Sequence, residues 1–202
     1  MRKLRVLVGC ESSGVVREAF RALGHDAWSN DILPADDDSE FHIKGDVREA
    51  ACLGWDLGIF HPPCTRLCNS GVRWLHERDL WAELDEAVEL FKACLDTPID
   101  HVAVENPRMH KHATERIGVK AAQAIQPWEF GDGETKETRL WLRNLPPLMS
   151  TGAVEGREQR VWKLPPSKDR WKQRSKTYEG IAKAMADQWS AFVLAEKERK
   201  AA

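Results

Sequence analysis

Residues 4–24, LRVLVGCESSGVVREAFRALG, decide the fold class. Leu4 to Cys10 form a valine-rich apolar run bounded by charge before and by Glu-Ser-Ser-Gly after, which suits a strand buried on both faces. Val15, Val16, Ala19, Phe20 and Leu23 then fall on one helical face, and Gly24 supplies a stop. Strand, Gly/Ser turn and helix follow in that order. A turn containing Gly9, Glu11, Ser12, Ser13 and Gly14 lets a phosphate, ribose or amino-acid moiety approach the backbone. Tight turns need glycine for their own geometry, however, and the G-x-G-x-x-G spacing is absent.

The alternation continues outward. HDAWSN (25–30) reads as a second strand ending in Asp31, and HIKGD as a third ending at Asp46. LGIFH (57–61) reads as a fourth, running into Pro62 and Pro63. The stretch 76–96, HERDLWAELDEAVELFKACLD, carries Leu80, Leu84, Ala87, Val88, Leu90, Phe91 and Leu95 at helical spacing. Val102 to Val104 then form a fifth strand with Glu105 and Asn106 at its carboxyl end. This order predicts a Rossmann-like α/β fold: a mainly parallel central sheet with helices on both faces and ligands at the strand carboxyl ends. Farther on, AAQAIQPW reads as helix into strand, TRLWLRNL as a strand and TYEGIAKAMADQWSAFVLAEKE as a final helix. Residues 146–176, rich in Gly, Pro and charge, read as an irregular basic excursion, and ADDDSE (35–40) as a solvated acidic loop.

Composition sets the outer bounds. The 202 residues suit a single domain spanning 1–202, with 42% hydrophobic and 31% charged side chains, which excludes a disordered or membrane-spanning class. With 30 basic against 32 acidic residues, net charge names no partner. No stretch approaches the roughly 18 apolar residues of a membrane span. The start, MRKLRVLVGC, does not read as a signal peptide. Five cysteines, odd in number and irregularly spaced, fit a reducing compartment, so the cytoplasm is the expected location. His110 with His112, and Cys64 with Cys68, lack the remaining ligands of a zinc site at recognisable spacing, so no metal is expected. Oligomeric state is left open.

The chemistry concentrates in residues 60–71, FHPPCTRLCNSG. Pro62 and Pro63 fix φ and remove two backbone donors, which makes the chain after the fourth strand stiff and aims Cys64. A free cysteine is otherwise a small core residue. As a nucleophile it needs a lowered pKa or a nearby proton acceptor. Asp31 and Asp46 can accept hydrogen bonds from ribose hydroxyls and an adenine amine, or can act as turn and cap aspartates. A protonated Glu105 could hydrogen-bond a ring nitrogen of a substrate base. Arg157, Arg160, Lys163, Lys168, Arg170, Lys172, Arg174 and Lys176, interleaved with Trp162 and Trp171, could neutralise phosphates and stack on bases, or form a solvated basic loop.

Together VLVGCESSG and its helix, SND, GDV, HPPC and VENP resemble the successive motifs of DNA cytosine-5 methyltransferases, over roughly residues 4 to 107. Pro-Cys followed by Glu-Asn is the specific part. The resemblance implies Cys64 as nucleophile beside Pro63, Glu105 with Asn106 as base activators, and S-adenosylmethionine as methyl donor. The donor would be held by Gly9, Glu11, Ser12, Ser13, Gly14, Asp31, Ile32, Asp46, Val47 and Pro62. ETKETRLWL is similar to a degenerate form of the family's Gln-x-Arg-x-Arg motif, with Lys136 and Arg139 as its basic residues. TYEGIAKAMADQW is similar to the closing motif, with Gly180 and Ile181 at the donor pocket. DNA is the implied partner, with Arg66, Arg170, Trp171, Lys172 and Arg174 as contacts.

The implied reaction has physical logic of its own. Cytosine C5 is a poor nucleophile; addition of the Cys64 thiolate at C6, with Glu105 supporting N3, makes C5 enamine-like and able to attack a methyl sulfonium. In DNA the base first leaves the stack, at a cost of a few kcal/mol. Three departures stand out: Ser-Ser-Gly-Val replaces a denser glycine cluster, Thr65 replaces a glutamine, and only Pro146 to Lys176 is available where the family carries a large target-recognition region. The pattern is that of a small, phage- or prophage-like form of low or short-site specificity, in which a protein partner could choose sites. Two alternatives stay open: the same chemistry on a free cytosine nucleotide or another nucleic acid, and an inactive fold that binds nucleic acid or protein. An adenine amino-methyltransferase ranks low, because His61 and Cys64 stand where its Asp/Asn-Pro-Pro-aromatic motif needs an acceptor and a ring.

Overall fold

The computed structural model describes residues 3–168 and 170–201, with the side chains of Val161 and Trp162 outside the description. Seven strands form one sheet in the order β3-β2-β1-β4-β5-β7-β6. They are β1 Arg5–Gly9, β2 Asp26–Asp31, β3 His42–Lys44, β4 Leu57–Phe60, β5 His101–Pro107, β6 Gln123–Ile125 and β7 Thr138–Arg143. Strands β1 to β5 are mutually parallel, and β7 lies antiparallel between β5 and β6. The order runs outward from β1 in one direction and from β4 in the other. Ligand crevices in such sheets form where the order reverses, here at the carboxyl ends of β1 and β4.

Helices cover both faces because strand side chains alternate. On one face Val6, Val8, Leu57, Ile59, Ala103 and Leu140 pack against α1 (Val15–Ala22) and the later helix Glu179–Ala201 through Phe20, Met185 and Trp189. On the other, Leu7, Phe60, Val102, Val104 and Trp141 pack under α2 (Val47–Ala50), a further helix Trp81–Leu95 and a third, Lys111–Ile117. The apolar run Leu4–Cys10 is therefore a core strand, as its composition predicts.

Two expected helices differ. The apolar pattern over 76–96 is split: α3 (Val72–Glu77) ends, Asp79 takes a left-handed φ of 50°, and α4 (Trp81–Leu95) begins afresh. Residues 121–122, read as helix, lead straight into β6, and the helical turn comes earlier as α5 (Lys111–Ile117). The basic excursion contains two short helices, α6 (Arg160–Lys163) and α7 (Arg170–Ser175), before α8 (Glu179–Ala201) closes the chain. No helix among the described residues is long and apolar enough to cross a membrane.

Candidate active site

Strand alternation places the two acid–base groups. On β5, Ala103 faces α1 and α8 while Val102 and Val104 face α4, so Glu105 continues the α8 face and Asn106 the other. On β4, Ile59 shares the α8 face and Phe60 pairs with Val104, so His61 emerges one step later beside Glu105. His61 Nδ1 lies 3.0 Å from Glu105 Oε2, with the two side chains only 8% and 14% exposed. A carboxylate only accepts, so Nδ1 carries the hydrogen. His61 Nε2 is buried with no partner among the described residues. Burial pushes the Glu105 carboxyl up, but the hydrogen bond from His61, then Lys136 and Thr138, outweigh it and hold Glu105 below its ordinary range. These surroundings favour the carboxylate, where the sequence suggested a protonated acid. His61, which the sequence reading treated only as a departure from another motif, is the residue it missed; its signal was period-2 register with Glu105.

Cys64 follows the two prolines on a short turn, in which the Cys64 carbonyl accepts from the Leu67 and Cys68 amides at 3.0 and 2.9 Å. Asn106 Nδ2 donates to the Pro62 carbonyl at 2.8 Å and is almost fully buried, so its role here is to tie β5 to the cysteine turn. His110 holds the far side of that turn: its Nε2 donates to the Arg66 carbonyl at 2.8 Å, and its Nδ1 accepts from the Ala113 amide at the start of α5. Both nitrogens of His110 are therefore used in structure. The Cys68 sulfur, burial and the Glu105 charge keep the Cys64 proton in place. Cys68 is pulled down to about 5 by Cys64 and by Ser70, whose Oγ lies 3.0 Å away. The two sulfurs thus share one proton, with Cys64 the side on which burial and the Glu105 charge hold it. Arg66 is paired with Glu83 on α4 at 2.6 Å.

At the end of β1, Cys10 (φ 58°) and Gly14 (φ 71°) are left-handed, and a side chain at Gly14 would strike the buried Arg17 guanidinium. Gly9 packs against Phe60 and Val47, and Val47 is itself a core residue. Glu11 Oε1 accepts from the Val16 amide at 3.0 Å and from Ser13 Oγ at 3.1 Å, capping α1, while buried Oε2 has no partner among the described residues. Ser12 Oγ contacts Asp36, and Asp37 pairs with Arg17, so the acidic loop is folded onto the glycine turn and is not merely solvated. Asp31 Oδ1 accepts from the Leu33 amide and Asp46 caps α2 through the Arg48 amide, the local turn and cap roles open to both. Ile32, beside Asp31, is 73% exposed. An orphan acceptor at Glu11, a close-approach turn and an exposed apolar side chain next to Asp31 fit a donor carrying an amine, a ribose and a flat base.

The recess between the sheet and α8 is lined by Glu105, Lys136, Thr138, Thr177, Tyr178 and Ile181. Lys136 Nζ donates to the Arg174 carbonyl at 2.9 Å and lies 5.8 Å from the Tyr178 ring centre. The buried Tyr178 hydroxyl has no partner among the described residues and is pushed to about 12 by burial and then by Glu134 and Asp132. Arg139 is not brought here: it stands one residue along β7 from Thr138, opposite Asn106, and its Nε is held by Glu137 at 2.9 Å. Gly180 packs so closely on the Phe130 carbonyl that a Cβ would sit 1.9 Å from it, and its amide reaches Asp132. Of the excursion, Lys172 Nζ pairs with Asp36 at 2.7 Å, Trp171 is half-exposed, and Arg170 opens α7. The Trp162 side chain lies outside the described residues. Among the described residues no group of three His, Cys, Asp or Glu is arranged to hold a metal.

No family model and no curated protein matches the sequence. Among solved structures, the chain is similar to the Entamoeba histolytica methyltransferase EhMeth, with a TM-score of 0.52 and 15% identity over 76% of this chain and 58% of that one. It is also similar to a protein assigned as a DNA modification methyltransferase encoded within an E. coli prophage, with a TM-score of 0.50 and 12% identity over 81% of this chain and 56% of that one. The chain thus spans little more than half the length of either structure, and at these identities what it shares with them is the methyltransferase fold.

Proposed function

We propose that the protein transfers a methyl group to C5 of cytosine in DNA through a covalent adduct between Cys64 and C6. The observation that carries this reading is the meeting of Cys64 and Glu105 at neighbouring strand ends, close enough for the Glu105 charge to act on the Cys64 thiol. The cysteine attacks, the carboxylate addresses the N3 and N4 edge, and the glycine turn at β1 lies across the switch point. The similar structures, a methyltransferase and a protein assigned as a DNA modification methyltransferase, support the same direction.

Each group has a task. As the S–C6 bond forms, the C5–C6 π pair moves into the C4–C5 bond and the C4–N3 pair onto N3; Glu105 takes the proton that Cys64 loses and delivers it to N3, so the step is proton-neutral and the carboxylate is restored. The stiff Pro62–Pro63 turn and the Asn106 tie keep the sulfur aimed. S-adenosylmethionine, when bound, supplies an electrophilic methyl group. Glu11 Oε2, the Gly9–Gly14 turn, Asp31 and Ile32 are the residues that would hold it, with Pro62, Ser12, Ser13 and Ile181 around them. Gly180, Asp46 and Val47 act there through the backbone they shape. Lys136, Arg66, Trp171, Lys172, Arg170 and Arg174 would meet the nucleic acid.

A free cytosine nucleotide is the second reading, favoured by the short excursion at 146–176, which holds only two helices of four and six residues among its described residues. Incubating the protein with labelled S-adenosylmethionine and either duplex DNA or dCMP tests both. Transfer to DNA that disappears in Cys64→Ser supports the proposal. Transfer that survives Cys64→Ser would sink the covalent mechanism, and transfer to dCMP alone would replace DNA as substrate.

A further inference from the structure

We propose that Cys64 and Cys68 form a redox-modification site, a dithiol that a small hydroperoxide closes to a disulfide, reversibly withdrawing the proposed nucleophile. The consequence for activity rests on the cytosine reading above; the closure itself does not. The cysteines of this chain differ in setting. Cys10 and Cys94 pack in the apolar layer beneath α4, as ordinary core cysteines do, and Cys52 is exposed. Cys68 is buried, at 9% exposure, yet belongs to neither apolar layer. Its sulfur faces Cys64 and the Ser70 hydroxyl instead.

The backbone sets the span between the two sulfurs. The Cys68 amide donates to the Cys64 carbonyl at 2.9 Å, closing one helical turn, so the two residues share a face. Four residues rise about 6 Å along such a turn, within the roughly 4.4–6.8 Å between Cα atoms that a disulfide bridges. The turn is clipped from outside as well. The His110 amide donates to the Leu67 carbonyl at 3.0 Å, its imidazole holds the Arg66 carbonyl, and Cys68 pairs with Met109. The sulfurs therefore stay together.

With one proton between them, one sulfur is a thiolate at neutral pH, and Cys68 carries that charge, favoured by Cys64 and then by Ser70. A thiolate is the form that attacks a peroxide. The Cys68 sulfur takes the outer oxygen of hydrogen peroxide; the O–O bond breaks, hydroxide leaves with the charge, and a sulfenic acid remains. Cys64 then attacks that sulfur. The S–S bond forms, the S–O bond breaks, and the departing hydroxide takes the Cys64 proton and leaves as water. The two sulfurs lose two electrons and the peroxide gains them. Because Cys68 is so little exposed, a two-oxygen oxidant reaches it where a bulky disulfide does not.

The test treats the Cys52→Ser protein with hydrogen peroxide and reads mass, linkage and methyl transfer. That background leaves tryptic fragments 49–66 and 67–73 with one cysteine each, Cys64 and Cys68. The protein should lose about 2 Da and the two fragments should run joined, while methyl transfer falls about tenfold or more and returns with dithiothreitol. Adding Cys68→Ser should abolish the linked pair, and activity lost to sustained peroxide should then stay lost as Cys64 passes to the sulfinic acid. In Cys64→Ser, the sulfenic-acid reagent dimedone should label Cys68. Folded protein whose fragments stay unlinked, or in which Cys64 bridges to Cys10 or Cys94, would overturn the proposal. So would activity that dithiothreitol restores as fully in the Cys68→Ser protein as in its parent. If the wild type methylates no cytosine, the functional reading fails, while the linked fragments still decide whether the pair closes.

Discussion

The strand-end recess and the basic excursion are held by different forces. Cys64, His61 and Glu105 sit at the ends of β4 and β5, with a strand pairing or a buried hydrogen bond behind each one. Residues 152–158 of the excursion are held by backbone pairing, but from residue 160 onward it is tied by side-chain pairs, among them Lys172 to Asp36, Lys136 to the Arg174 carbonyl, and Arg160 to the buried Glu134. Burial fixes geometry to fractions of an ångström. Exposed ion pairs contribute little and are screened by salt. On the proposed reading the first region does the chemistry, and the second exchanges its protein carboxylate partners for phosphates.

That contrast can be broken in order of effect. Glu105→Gln should lower kcat by about 10²- to 10⁴-fold with the fold intact, read by single-turnover transfer. A loss of under tenfold would place the acid–base work elsewhere. Trp189→Ala removes a fully buried side chain from between the sheet and α8 and should cost about 3–5 kcal/mol in denaturant unfolding. Gly180→Ala drives a methyl group into the Phe130 carbonyl and should cost about 1–3 kcal/mol, with the recess distorted through Ile181. Lys172→Ala should change stability by less than about 1 kcal/mol, while lowering the salt dependence of DNA binding by about one unit of slope. A larger stability loss would show that the excursion is as rigid as the recess.

The same contrast explains what the sequence could reveal. Apolar runs such as Leu4–Cys10 and Leu57–Phe60 have one stable placement, a buried strand, so the sheet and its carboxyl ends were legible. Cys64, Glu105 and Asn106 were legible because they stop such runs abruptly. Asp31 was legible as a strand end, whereas β3 stops at Lys44 and leaves Asp46 as the cap of α2; both side chains turn to local amides, a choice that only three-dimensional spacing decides. Arg139 was misplaced because a degenerate motif does not say which face of β7 it takes. Helix 76–96 read as continuous because Leu80 keeps the period, although Asp79 breaks the backbone. The pairing of His61 with Glu105 and the burial of Tyr178 beside them come from contacts across strands and loops far apart in sequence.

The most direct test of the account is covalent capture on duplex DNA carrying 5-fluorocytosine, in which the C5 fluorine blocks release of the thiol after methyl transfer. With S-adenosylmethionine present, the wild type should form a denaturation-resistant protein–DNA adduct whose cross-linked peptide contains Cys64, and Cys64→Ser should form none. An adduct at another residue, or active methyl transfer to cytosine with no adduct at all, would contradict it.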